Sequence, residues 1–509
     1  MRAFNTLTLS TLLGVTLLSS GCSSHKHLTA EQETPIDSYA IVASASVFND
    51  SVWHDAIIGE LLKKYPGAPV IVWTKHVNEA KARLSELKPA FTAFAVKPGE
   101  AGVRLTIDIS HLTRNLDADP YPDTFWGVIT GYDADSARKM AAAEPIAIER
   151  ALDCSGCDIT AFKKAWRYSE DHRGTMKTWD AEAANAQVVA SECNTDNTQG
   201  VLERLQQDKV QFLATSGHAT QHDWQMGYCG PNMVMTHKDG KLVAIDTQQK
   251  AFYAQNDEPK VYFANGNCLI GDVDQLDCMA LSWMRDGGVR QMMGYTVTTW
   301  HGAQGWGTLG LFTDTAGMTT AAEAFHFTNT DIVNNLEKFI ETSGAKDIRT
   351  CRLGKIAKVN RPLTRQTLVW FSELPEAERA QNRDKLQNIM GDLHDRDTVC
   401  FYGDPALDAR IADGRLKVLP PVYHPAKKTL TLTLCSVSAT REGAVWFRLP
   451  GDWIYAPENV TASEALGTPD LCLDNMIRFP NAKVTPDEVY TVTISPAQRI
   501  SDKCPDCDK

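Results

Sequence analysis

VQFLATSGHAT (residues 210–220) and PKVYFANGNCLIGD (residues 259–272) decide the fold. Each is a short apolar run that spills into a polar, Gly-containing loop, the pattern of a buried strand ending at a turn. His218 closes the first run and Cys268 closes the second, fifty residues later. Parallel strands present functional groups at their carboxyl ends, where loops form a crevice. A cysteine and a histidine offered from two such ends can form a thiolate–imidazole pair, a nucleophile with its acid–base partner.

Working outward, strands and helices alternate. SYAIVASASV, APVIVWT, AFTAFAV and TFWGVITGY read as strands, and SVWHDAIIGELLKKY and NEAKARLSELK as amphipathic helices. DSARKMAAAEPIAIERALD reads as mostly helical despite Pro145, and residues from Ile159 to Asn197 as irregular, then helical. After the Cys268 loop, CMALSWMRDGG is a helix with glycine at its end, and VRQMMGYTVTT is a strand. TWHGAQGWG reads as a Trp- and Gly-rich loop, followed by helical patterns. Such alternation predicts an α/β fold with a largely parallel sheet flanked by helices. After Arg415, KTLTLTLCSVS, GAVWFRLP and EVYTVTISP alternate like strands of a small antiparallel sandwich. The expected organisation is an N-terminal α/β subdomain (36–157), a second α/β subdomain carrying His218 and Cys268 (158–414), a β-sandwich (415–499) and a Cys-containing tail (500–509).

The chain has 509 residues, 43% hydrophobic and 22% charged, an ordinary globular composition. Its net charge of −12 argues against nucleic acid as a partner, since phosphate binding needs basic patches. Arg2, the short apolar stretch LTLSTLLGVTLL and LLSSGC form an export segment over residues 1–22. LLSSGC resembles a bacterial lipobox, with the leucine one place further from Cys22 than usual. Cys22 is then the lipidated residue, residues 23–35 the tether, and the membrane a partner through that lipid. Ser23, where aspartate favours inner-membrane retention, points to the outer membrane. Of the thirteen cysteines, eleven remain beside Cys22 and Cys268, and an oxidising compartment predicts several disulfides. Cys154-Ser-Gly-Cys157 and Cys504-Pro-Asp-Cys507 suit local disulfides, with a shared zinc as the alternative.

Four islands in order resemble the gingipain family of cysteine peptidases, relatives of the caspases. They are YPDTFWGVITGYDADSARKM, TSGHATQHDW, NCLIGDVDQLDCMALSWMRDGG and VCFYGDPALDARI, within residues 37 to 412. The resemblance implies a caspase-like catalytic unit followed by an immunoglobulin-like module, a protein or peptide substrate, and no required cofactor. It implies Cys268 as nucleophile, His218 as its partner, and the backbone N–H groups of Cys268 and Ala219 as oxyanion donors. The loop with Trp300, His301 and Trp306 would line the pocket for the residue before the scissile bond; plain packing of tryptophan on the sheet edge is the alternative. The chain departs from the family at Ala219, where glycine is preferred, and at Asn267, where a small apolar residue is usual.

Other readings compete. Cys278 is a rival nucleophile, but it heads an apolar helix and suits core or disulfide. His218-x-x-x-His222, with Asp223 and Cys229, has metal-ligand spacing, yet Ala219 stands where a zinc peptidase needs glutamate. DADPYPD offers Asp117, Asp119 and Asp123 to a structural calcium, against a plain solvated turn. Two other functions fit the same pair: an inactive, peptide- or surface-binding lipoprotein, and a transpeptidase working through the same thioester.

Overall fold

The computed structural model describes residues 37–169, 173–183, 185–190, 196–228, 232–343, 372–451 and 453–499, with residues 33 and 35. The export segment with Cys22 and the tail 500–509 lie outside the described residues, as do Cys193, Cys229 and Cys351. Among the described residues, no helix is long and apolar enough to cross a membrane.

A twelve-stranded sheet forms the centre. In chain order its strands are β1 (Tyr39–Ser44), β2 (Val70–Trp73), β3 (Phe91–Ala95), β4 (Phe125–Ile129), β5 (Arg150–Cys154), β6 (Lys164–Tyr168), β7 (Thr175–Asp180), β8 (Asn185–Ala190), β9 (Phe212–Ser216), β10 (Lys260–Gly266), β11 (Val289–Tyr295) and β12 (Val399–Tyr402). Their spatial order is β2-β1-β3-β4-β12-β11-β10-β9-β5-β6-β7-β8. Every pairing is parallel except β11 with β12 and the two at the β6-β7-β8 edge. The sheet is therefore two parallel halves joined head to tail at β11/β12. The central strands β1, β3, β4, β9, β10 and β11 are buried throughout, which is why they read as continuous apolar runs. Five helices matter for the site: α1 (Val103–Thr113), α2 (Met279–Asp286), α3 (Ala303–Asp314), α4 (Ala321–Ser343) and α5 (Glu376–Thr398).

Three segments differ from expectation. The helix predicted through Pro145 stops at Ala141; Ile146–Ile148 then pairs with Ala409–Ile411, and β5 follows. Proline removes a helical donor and clashes with the preceding turn, so apolar residues beyond it are free to extend. The stretch read as irregular supplies β6, β7 and β8. The Trp- and Gly-rich loop is half helix: AQGWG opens α3. A Cβ on Gly305 would overlap the Asn265 carbonyl, so this glycine allows α3 to lie against β10. Among the described residues, the expected disulfides are also not found. All seven described cysteines (Cys154, Cys157, Cys268, Cys278, Cys400, Cys435 and Cys472) are unbridged.

The C-terminal strands form two larger antiparallel sheets over one core, and Trp453–Ile454 pairs separately with Gln498–Arg499. Leu416–His424, Thr429–Ser436, Val489–Ile494 and Val460–Ala462 make one, and Arg441–Arg448, Met476–Val484 and Leu471–Cys472 the other. In TLTLTLCS the leucines Leu430, Leu432 and Leu434 meet Phe447, Ile477 and Phe479 across the gap, and the threonines between them are half-buried. Trp446 stacks on Phe327 of α4 at 5.2 Å, and Arg448 bonds Asp37 at 2.7 Å and Glu323 at 2.9 Å. These contacts dock the β-unit on the α/β unit.

Candidate active site

β9 and β10 are neighbours, and Ser216 pairs with Gly266 at their carboxyl ends. His218 and Cys268 each lie two residues beyond that pair. The two ends are tied directly by Asn267, which is fully buried. Its side-chain oxygen accepts from the Thr215 hydroxyl at 2.6 Å, and its side-chain nitrogen donates to the Gly217 carbonyl at 3.1 Å. One buried side chain thus spans the two candidate loops. Gly217 has a φ of +126°, a conformation side chains rarely adopt, and a Cβ there would sit 2.6 Å from the Gly227 nitrogen. The chain then folds back through Asp223–Gln225. His218 N–H donates to the Gly227 carbonyl at 3.1 Å, and Gln225 N–H to the His218 carbonyl at 2.8 Å.

Cys268 is half-buried. The Thr299 N–H donates to its Sγ at 3.3 Å, and the Thr299 carbonyl lies 3.6 Å away. Leu269 follows with φ of +60°, a sparsely populated region for a branched residue, held by its N–H bond to the Val297 carbonyl at 3.0 Å. Ala219 faces Trp224 across an antiparallel bridge, but the bonds that close it run from Thr220 N–H to Asp223 and from Gln225 N–H to His218. The Ala219 N–H is outside that ladder. The His218 ring is exposed and meets the Tyr228 ring edge-on at 5.5 Å. Among the described residues there is no hydrogen bond between Cys268 and His218.

The three expected pocket residues separate. Trp306, on the first turn of α3, reaches the candidate site: a Cβ on Gly266 would lie 3.5 Å from its ring, 2.7 Å from the Tyr228 hydroxyl and 2.9 Å from Ser216 Oγ. Tyr228 was not singled out in the sequence. It follows a short hairpin strand, and nothing in its spacing marks it, yet its hydroxyl bonds Ser216 Oγ at 2.6 Å. Tyr228 and Trp306 are 47% and 39% exposed, unusual for large aromatics, and they flank the glycine two residues before Cys268. His301 turns the other way. Its Nε2 bonds Asp392 of α5 at 3.2 Å, which raises the imidazole pKa, while burial raises that of the Asp392 carboxyl. Trp300, half-exposed, lies between His301 and His394, whose ring is 6.2 Å away.

Cys278 caps α2, is fully buried, and has its thiol pushed up to about 12 by burial. A thiol so protonated is a poor nucleophile. In the acidic loop, Asp119 accepts its own Tyr121 N–H at 2.8 Å. The carboxylates that converge are instead Asp117, Asp123 and Asp474, the last from the β-unit. Burial first, then Asp117, Asp119 and Asp474, push Asp123 up to about 9. Lys88 stands 3.6 Å from both Asp117 and Asp474, so one cation already serves the cluster. The donor set is all oxygen and fits calcium, with Lys88 as its competitor.

No known family model matches the chain, and no curated protein does. Among solved structures, one described as "Structure of Protease" is similar with 12% identity and a TM-score of 0.36, covering 92% of this chain and 96% of that one. At that similarity, function has to be argued from this chain's own residues.

Proposed function

We propose that the protein is a gingipain-like cysteine endopeptidase, with a caspase-like catalytic unit and an immunoglobulin-like module, exported and held to the outer membrane by lipid on Cys22. The observation that carries this reading is the matched departure of His218 and Cys268 from adjacent parallel strands, two residues past the Ser216–Gly266 pair. The Cys268 thiolate attacks the scissile carbonyl carbon, and the carbonyl π electrons move to oxygen. The N–H groups of Cys268 and Ala219 donate to that oxyanion. Collapse breaks the C–N bond, and the His218 imidazolium gives its proton to the departing nitrogen. Water, losing a proton to His218, then attacks the thioester carbonyl; the C–S bond breaks and the Cys268 thiolate returns. Trp306 and Tyr228 supply apolar walls for the side chain before the scissile bond.

One observation favours a second reading. The Cys268 sulfur bonds to Thr299 and not to His218, as suits a surface-binding lipoprotein without activity. A transpeptidase shares the thioester and differs only in the nucleophile that resolves it. Digestion of a peptide library by the mature protein tests all three. Cleavage that disappears in Cys268→Ala and His218→Ala supports the peptidase. Transfer to an added amine in place of water identifies the transpeptidase, and no turnover with retained peptide binding identifies the binding protein. Metabolic palmitate labelling, lost in Cys22→Ala, tests the anchor.

A further inference from the structure

We propose that His222, His237 and Asp277 form a binding site for a divalent transition-metal ion of the zinc class. One ligand atom from each lies within 4.8 Å of the others. The three come from separate elements. His222 is in the loop after β9, His237 on the strand Val234–Lys238, and Asp277 just before α2. The two carboxylate oxygens of Asp277 face different imidazoles, 3.4 Å from His237 Nδ1 and 3.9 Å from His222 Nδ1. Ligands about 2.0–2.1 Å from a tetrahedral zinc are about 3.3 Å apart, so small rotations close the set.

The backbone around the ligands is already fixed. Thr236 Oγ1 donates to the His222 carbonyl at 2.9 Å, and His222 N–H donates to Thr220 Oγ1 at 3.1 Å. Met279 N–H donates to the Gln221 carbonyl at 2.8 Å, tying the histidine loop to the start of α2. The His237 side chain is 7% exposed and that of Asp277 is 76% exposed, so the site is closed on the protein side and open to a water ligand. A simple ion pair would explain one imidazole on Asp277. It leaves the second ring, 5.8 Å from the first, unexplained. Two imidazoles and one carboxylate suit zinc and its neighbours rather than calcium or magnesium.

The site goes beyond the peptidase reading and does not depend on it, because neither Cys268 nor His218 is a ligand. It does join the two loops that carry them. His222 lies four residues after His218, and Asp277 nine after Cys268.

Cobalt(II) titration of the mature protein tests the site. The expected result is one saturable ion with a tetrahedral visible band and no thiolate-to-cobalt charge transfer. Its affinity should fall about tenfold or more in His237→Gln, His222→Gln and Asp277→Asn, and be unchanged in Cys268→Ala and His218→Ala. His222 and Asp277 are solvent-facing, so those variants stay folded by circular dichroism even if His237→Gln does not. Absence of binding, a thiolate band, affinity unchanged in the ligand variants, or affinity lost in Cys268→Ala would each overturn the proposal.

Discussion

The Asn267 side chain donates to the Gly217 carbonyl and accepts from the Thr215 hydroxyl, so one buried carboxamide fastens the end of the strand before His218 to the loop that carries Cys268. Asn267→Ala removes both bonds and leaves the Gly217 carbonyl without that donor. A loss of about 2 kcal/mol is expected, read as a lower urea midpoint at unchanged slope. An unchanged midpoint would mean the two strand ends are held elsewhere.

Gly305→Ala separates two meanings of a glycine in the AQGWG segment. In a solvated loop or ordinary helix, alanine is neutral or stabilising by up to about 1 kcal/mol. Against β10 its Cβ overlaps the Asn265 carbonyl, and α3 must move away. A net destabilisation of about 1–3 kcal/mol is expected from thermal unfolding, together with altered Trp306 fluorescence.

That glycine illustrates what the sequence could and could not yield. β1, β3, β4, β9, β10 and β11 were legible because strands buried on both faces leave unbroken apolar runs. The alternation in TLTLTLCS was legible because one face of that strand is buried and the other is not. Gly305 and Gly307 were read as loop residues because composition cannot distinguish conformational freedom from close packing. β6 to β8 were missed because they form a partly exposed edge, where Thr175–Asp180 is only half-buried and carries no clean period. Within the candidate site, His218 and Cys268 were found by their place at the ends of apolar runs. Tyr228, Thr299 and the Asn267 bonds became visible only when distant segments met. His301 was grouped with Trp306 by proximity in the chain, but Asp392 on α5 draws it away.

Asp123 gives a pH dependence of definite sign. Its folded pKa of about 9 stands far above the unfolded value of about 3.9. Between these values the folded chain holds a proton that the unfolded chain releases, so this contribution to stability is full at low pH and lost as pH rises toward 9. Asp123→Asn should flatten that decline between pH 5 and pH 8.5. Calcium at the Asp117, Asp123 and Asp474 oxygens would take the proton's place. Added calcium should therefore raise the wild-type melting temperature at pH 8.5 and leave Asp123→Asn unmoved; equal shifts in both would place calcium elsewhere.

Trp306→Ala removes an aromatic wall beside Gly266 without touching Cys268 or His218. For peptide substrates with a large side chain before the cut, KM should rise roughly tenfold, equivalent to about 1.4 kcal/mol, with kcat less affected. An effect on kcat alone would place Trp306 outside the binding pocket.

The most direct test of a shared Cys268–His218 site is covalent labelling of the purified mature protein with an electrophilic peptide ketone, followed by mass spectrometric location of the adduct. The account predicts one adduct, on Cys268, formed far more slowly in His218→Ala, with Cys278 unlabelled because burial keeps its thiol protonated. Labelling at another cysteine, or labelling of Cys268 at the same rate without His218, would contradict it.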